Sequence, residues 1–226
     1  MIVAERKPFD EILKLVAPYQ RILLVGCGTC VAVCMAGGEK EVEILATELR
    51  MRAEMEGRSL HVDEITLTRQ CDAEYLDQIE KVARNYDAIV SLACGAGVQH
   101  LAGHYDTQVI LPALNTRFIG VAKGAGQWDE RCRACSDCHL GETGGICPVT
   151  LCAKGLLNGP CGGTNHGKCE VNDEQDCAWT LIYRRLDATG RLDFMKAIRA
   201  PRDHQKSASP AKYTHTAYEQ SGAKDE

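Results

Sequence analysis

Aromatic residues are scarce in this chain: 3 Phe, 2 Trp and 7 Tyr among 226 residues. Any hydrophobic core must therefore be aliphatic, and a hydrophobic content of 45% leaves room for one. A basic excess is missing as well, because 26 Lys and Arg face 31 Asp and Glu for a net charge of −5. Without a cationic face to displace counterions, a nucleic-acid partner is not expected. The longest apolar runs, near residues 22–25 and 89–93, are far shorter than the roughly 20 residues a spanning helix needs, so no membrane insertion is expected. The N-terminus carries Glu5, Arg6, Lys7, Asp10 and Glu11 in place of an apolar signal segment, so the chain is expected in the cytoplasm. There is no Walker loop and no Ser–His–Asp pattern. The adjacent carboxylates Asp63–Glu64 and Asp129–Glu130 read as solvated charges rather than acid–base pairs.

Cysteine, by contrast, is abundant, with 13 residues. The odd count and the expected reducing compartment argue against a disulfide framework. Thiols clustered at short spacing instead favour a soft metal.

Hydrophobic patterning predicts an α/β domain over residues 1–125, with a small parallel Rossmann-like sheet. Residues 8–17 read as an amphipathic helix with proline at its start. Residues 21–26, 60–67, 88–93 and 108–113 read as buried strands. Helices are expected over 40–56, closed by Gly57, and over 73–86 and 98–105. Alternation of this kind implies a parallel sheet covered on both faces. Residues 126–200 form a cysteine-rich, loop-rich segment, expected to fold around metal because it lacks apolar periodicity. A helix is expected over 176–185 within it, and a polar tail over 201–226.

Cys27, Cys30 and Cys34 follow the first buried strand with C-x2-C-x3-C spacing. Three such thiolates can bind three irons of one cluster, with Gly26 and Gly28 allowing the turn and leaving room for sulfide. Ligands in open α/β sheets bind beyond the carboxyl ends of strands, so a fourth ligand from another strand is favoured. Cys94, in a similar glycine-rich turn, is the first choice and Cys71 the alternative; Cys71 can equally be a buried inert thiol. Residues 26–31 nearly fit G-x-G-x-x-G, but Val31 replaces the last glycine and thiolates suit pyrophosphate poorly.

Cys132, Cys135 and Cys138 have C-x2-C-x2-C spacing, and Cys147–Pro148 follows. The run is similar to the ferredoxin pattern whose thiolates hold [4Fe–4S] clusters, although the interval before Cys147 is longer. Cys152, Cys161, Cys169 and Cys177 suit a further cluster or a tetrahedral zinc. His139 and His166 can replace a thiol, but a glycine-flanked histidine more commonly serves as a hydrogen-bonding loop residue.

Two stretches carry a more specific signal: residues 144–163, with Cys147, Cys152 and Leu156-Leu157-Asn158-Gly159-Pro160-Cys161-Gly162-Gly163, and residues 167–186, with Cys169, Cys177, Trp179, Ile182 and Tyr183. Together with Cys27, Cys30 and Cys34 they resemble the MetV family, the iron–sulfur and zinc subunits of acetogen-type methylenetetrahydrofolate reductases. The resemblance spans residues about 20–190. It implies a non-catalytic electron-transfer subunit of an oxidoreductase complex in one-carbon metabolism of the Wood–Ljungdahl type. It implies two or three [4Fe–4S] clusters, with zinc as an alternative occupant, and a flavin-bearing TIM-barrel catalytic partner that holds flavin and folate. A further electron-donor subunit is a second expected partner. The cysteines matching the family are Cys27, Cys30, Cys34, Cys132, Cys135, Cys138, Cys147, Cys152, Cys161, Cys169 and Cys177, whereas Cys94 is expected from position alone. The rival readings are a zinc-held structural adaptor without a redox role and, more remotely, a metal sensor lacking an output domain.

Overall fold

A computed structural model of the chain describes residues 1–197, 200 and 203–216. Part of the expected polar tail, residues 201, 202 and 217–226, lies outside the described residues. The chain divides into two compact units, Met1–Glu130 and Arg131–Glu226.

The first unit begins with β1 (Ile2–Arg6) and the helix α1 (Phe9–Val16), which Pro8 precedes. Then come β2 (Arg21–Cys27), the short α2 (Cys30–Val33), α3 (Glu39–Met55) and β3 (His61–Leu67). After them follow α4 (Ala73–Leu76), α5 (Glu80–Ala83), β4 (Ala88–Leu92), α6 (Gly95–His104) and β5 (Ile110–Pro112). The unit closes with β6 (Leu114–Gly124) and most of β7 (Gln127–Cys132), whose last two residues fall in the second unit. The fold is mixed α/β around a four-stranded parallel sheet of order β3-β2-β4-β5.

The buried runs behave as central parallel strands because both faces are covered. In β2, Ile22 and Leu24 enter one core with Val42, Leu45 and Leu49 of α3, while Leu23 and Val25 enter a second core with Leu76, Ile79 and Leu101. Glu41 accepts a hydrogen bond from the Gly38 N–H at 2.9 Å and so closes the start of α3. At its other end Gly57 turns left-handed, at φ +64.

Three features depart from the periodicity-based expectation. A second sheet, β1-β6-β7, has β1 antiparallel to β6 from Ile2↔Ile119 to Arg6↔Leu114. The helix expected over 73–86 breaks into α4, a 3-10 turn at Asp77–Ile79 and α5, where the Tyr105 hydroxyl donates to the Leu76 carbonyl at 2.6 Å. Gly26 serves packing rather than a turn, since a Cβ there would meet Thr66 Oγ1 at 2.5 Å and Val42 Cγ2 at 2.7 Å. Its small size lets α3 approach the sheet.

The second unit contains α7 (Pro148–Leu151), α8 (Ala178–Ala188) and α9 (Asp193–Lys196), joined by long loops. Its apolar core is small: Trp179, Ile182 and Leu186 of α8, with Ile146, Leu156, Leu192 and Met195 against them. Cys152 and Cys177 pack on the same cluster. Among the described residues no helix is long and apolar enough to cross a membrane.

Candidate metal centres

All thirteen cysteines are free thiols. They fall into three neighbourhoods, one in the first unit and two in the second.

In the first unit, chain order and sheet order diverge at β2: the chain passes from β2 to β3 on one side and returns to β4 on the other. The carboxyl edge beside such a reversal is where α/β sheets bind ligands. Cys27 is the last residue of β2, Cys71 lies in the loop after β3, and Cys94 caps the start of α6 just beyond β4. Burial pushes the Cys71 thiol up, and the neighbouring Cys27 and Cys94 thiols push it further. Cys30 opens α2 and is half-buried.

Cys34, close enough to Cys30 to feel its charge, is held differently. It is buried, its Sγ receives the Ala4 N–H at 3.4 Å, and it faces the carbonyls of Ala4 and Val31, each at 3.4 Å. Burial raises its thiol above the ordinary value.

In the second unit, Cys132, Cys135, Cys138 and Cys147 line one cleft of ≈ 320 Å³, together with His139 and Pro148. The loop bends tightly at each spacer, with Ala134 at φ 48 and Ser136 at φ 60. Left-handed non-glycine residues are strained and persist only where the surroundings impose them. The bend aims the Ala134 N–H at Cys132 Sγ, at 3.3 Å. Such amide–sulfur bonds favour a thiolate. His139 lies between Asp137 at 3.8 Å and Glu142 at 3.6 Å.

Cys152, Cys161, Cys169 and Cys177 line a second, much smaller cavity of ≈ 20 Å³ beside Trp179. Backbone bonds from Cys177 N–H to the Gly167 carbonyl (2.8 Å) and from Cys169 N–H to the Gln175 carbonyl (2.9 Å) bring the loops together. The Gly163 N–H donates to Cys161 Sγ at 3.4 Å. Burial pushes the Cys177 thiol up, but hydrogen bonds from the Thr180 N–H and hydroxyl, the Trp179 N–H and the Thr164 hydroxyl outweigh it. The net shift is downward, toward thiolate. Lys154 pairs with Glu170 at the rim. His166, exposed and left-handed at φ 48, does not line this cavity.

The chemistry of these donor sets fits soft metals, and the two cavities differ in capacity. The cleft at Cys132–Cys147 has room for a cluster, whereas the cavity at Cys152–Cys177 has room for about one small ion without opening. Among the described residues, no three Cys, His, Asp or Glu side chains already stand at metal-holding distances from one another.

A family model described as the methylene-tetrahydrofolate reductase C terminal matches residues 111–205. That segment, less than half of the chain, is similar to that family. It starts within β5 of the first unit and takes in both four-cysteine neighbourhoods of the second. Cys27, Cys30, Cys34, Cys71 and Cys94 precede the matched segment in the chain. No curated protein and no solved structure matches the chain significantly.

Sequence position left Cys71 as the alternative to Cys94, and it did not single out Gln70. Cys71 lies close enough to Cys27 and Cys94 to feel their charge. Gln70 is fully buried and bonded beneath them. A glutamine directly before a cysteine at a strand's carboxyl end was the available signal.

Proposed function

We propose that this chain is the electron-transfer subunit of a methylenetetrahydrofolate reductase complex and serves the flavin of a TIM-barrel catalytic partner. The observation that supports it is the gathering of Cys132, Cys135, Cys138 and Cys147 around one roomy cleft inside the reductase-related segment. A [4Fe–4S] cluster held by those thiolates supplies one-electron transfer at a potential set by hydrogen bonds to sulfur, burial and charge. The Ala134 N–H, 3.3 Å from Cys132 Sγ, is one such hydrogen bond. Cys152, Cys161, Cys169 and Cys177 hold a second centre, with Cys177 already biased toward thiolate. Cys27, Cys30 and Cys94, with one further cysteine of the first unit, supply the ligands of a third. The chain has no substrate chemistry of its own in this reading; flavin and folate belong to the partner, and a separate donor subunit delivers the electrons in the cytoplasm.

One observation favours a second reading for part of the chain. The ≈ 20 Å³ cavity is closer to the size of a single zinc ion than of a cluster, as a structural adaptor would have.

The test is flavin reduction in the anaerobically purified complex. Cys138→Ser is expected to remove one cluster's electron paramagnetic resonance signal and to slow reduction of the partner's flavin by an external one-electron donor. Full-rate reduction in that variant, or a native complex containing zinc without iron and sulfide, would leave the adaptor as the function.

A further inference from the structure

We infer that Cys27, Cys30, Cys71 and Cys94 form one four-thiolate metal site at the carboxyl edge of the parallel sheet, built over a buried Gln70–Ser91 clasp, and that Cys34 lies outside it. The inference rests on the metal-binding reading above and names the ligands of its N-terminal site.

The clasp carries the argument. Gln70 and Ser91 are both completely buried in an otherwise aliphatic region. Gln70 Nε2 donates to the Val25 carbonyl at 2.8 Å and to the Gly26 carbonyl at 3.0 Å. Its Oε1 accepts from the Ser91 hydroxyl at 2.6 Å, and Ser91 Oγ faces the Ala93 N–H at 3.3 Å. Each anchored segment lies directly before a cysteine: Gly26 before Cys27, Gln70 before Cys71 and Ala93 before Cys94. One amide side chain thus ties the ends of three neighbouring strand connections together under three thiols.

An apolar side chain would fill this space without the cost of burying an amide, so the bonds set position rather than add bulk. The packing is also too close for other residues. A Cβ on Gly97 would lie 2.8 Å from Ala93 Cβ and 3.1 Å from Gln70 Cβ, and one on Gly37 would lie 2.0 Å from the Leu92 carbonyl oxygen. The clasp thus sets Cys27, Cys71 and Cys94 at the same edge of the sheet. A cation shared among them removes their mutual repulsion.

Cys30 supplies the fourth thiolate. It stands two residues beyond Gly28 in the turn leaving β2, half-buried at the start of α2. The Thr29 hydroxyl in that turn lies 3.6 Å from Cys27 Sγ. Cys34 is unsuited to the role. The residue is only 6% exposed, and its Sγ is already taken up by the Ala4 N–H and by the carbonyls of Ala4 and Val31. It packs as a small hydrophobe between α2 and β1.

The test uses the anaerobically purified full chain and counts iron, sulfide and zinc per chain. Cys71→Ser and Cys94→Ser are each expected to lose the same single site's content, and the double variant no more than either alone. Cys34→Ala is expected to keep all of it. Gln70→Leu, with an unchanged circular dichroism spectrum, is expected to bind that site's metal ~10–100-fold more weakly. Whether iron with sulfide or zinc disappears identifies the occupant. Because Cys71 is exposed, alkylation gives a second readout that needs no variant. Cys71 should resist iodoacetamide in the loaded protein and react after chelation. Full metal content in Cys71→Ser, immediate labelling of Cys71 in the loaded protein, or loss of the site in a folded Cys34→Ala would overturn the assignment. A wild-type chain containing neither iron nor zinc would instead defeat the metal-binding reading on which it rests.

Discussion

The two units are held together by different means. The first buries Ile22, Leu24, Leu45, Leu49, Ile89 and Leu101 completely, on both faces of a parallel sheet. Among its described residues the second completely buries only Ile182 and Leu186 of the large aliphatic side chains, and two of the side chains on its core are thiols. A small apolar cluster cannot offset the entropy of ordering long glycine-rich loops. The comparison teaches that the first unit is a scaffold with a core of its own, whereas the second, in the proposed reading, takes its stability from what its cysteines hold.

Removing the metal should break this symmetry most visibly. Chelation under anaerobic conditions is expected to abolish amide protection throughout the second unit while α3, β2 and β4 keep theirs, as hydrogen exchange read by mass spectrometry would show. Equal loss in both units would mean that they are not built differently.

Leu49→Ala probes the converse. Leu49 is fully buried in the aliphatic core, so its truncation should cost about 2–5 kcal/mol in denaturant unfolding of the first unit. Iron and zinc content of the second unit should stay unchanged.

Trp179→Phe should act more weakly and only in the second unit. It removes the indole N–H that donates to the Leu156 carbonyl at 3.0 Å, a loss of about 1 kcal/mol. The measurable outcome is faster metal release to a chelator, because Trp179 also borders the Cys152–Cys177 cavity.

The smallest effect concerns a surface pair of the scaffold. The Tyr86 hydroxyl donates to Asp63 at 2.6 Å, and burial followed by that carboxylate pushes Tyr86 from 10.0 up to about 12. The same bond, acting first among several influences, holds Asp63 below 3.8. A raised tyrosine stabilises the fold below its unfolded value, so this contribution should fade as pH rises from 10.0 toward about 12. A depressed carboxylate stabilises above its unfolded value, so the pair should also weaken as pH falls below 3.8. Melting temperatures of Tyr86→Phe against wild type should converge at both extremes and differ in between.

How much of this was legible in the residues follows the same division. Buried runs such as 21–26 and 88–93 announce central strands because apolar residues on both faces leave no other cover. Residues 40–56 announce a helix because Val42, Leu45 and Leu49 share one face. The sheet β1-β6-β7 was not legible: β6 alternates through exposed Arg117 and Lys123 and depends on pairing with β1, more than a hundred residues away in the chain. The break within 73–86 depends on Tyr105, another distant residue. In the second unit, spacing identified the thiols but could not group them. The division into Cys132, Cys135, Cys138 and Cys147 against Cys152, Cys161, Cys169 and Cys177 depends on loop closures such as Cys177 onto Gly167. At the sheet edge, the C-x2-C-x3-C spacing could not reveal that Cys34 is buried against Ala4 and Val31.

The central claim is that the cysteines of the second unit grip inorganic cofactors that give it shape. Quantifying iron, acid-labile sulfide and zinc in the anaerobically purified chain, alongside Cys138→Ser, tests it most directly. The account predicts iron and sulfide in near-equal amounts, reduced by one cluster's worth in the variant. A wild-type chain whose second unit is fully protected from hydrogen exchange while carrying neither iron nor zinc would contradict it.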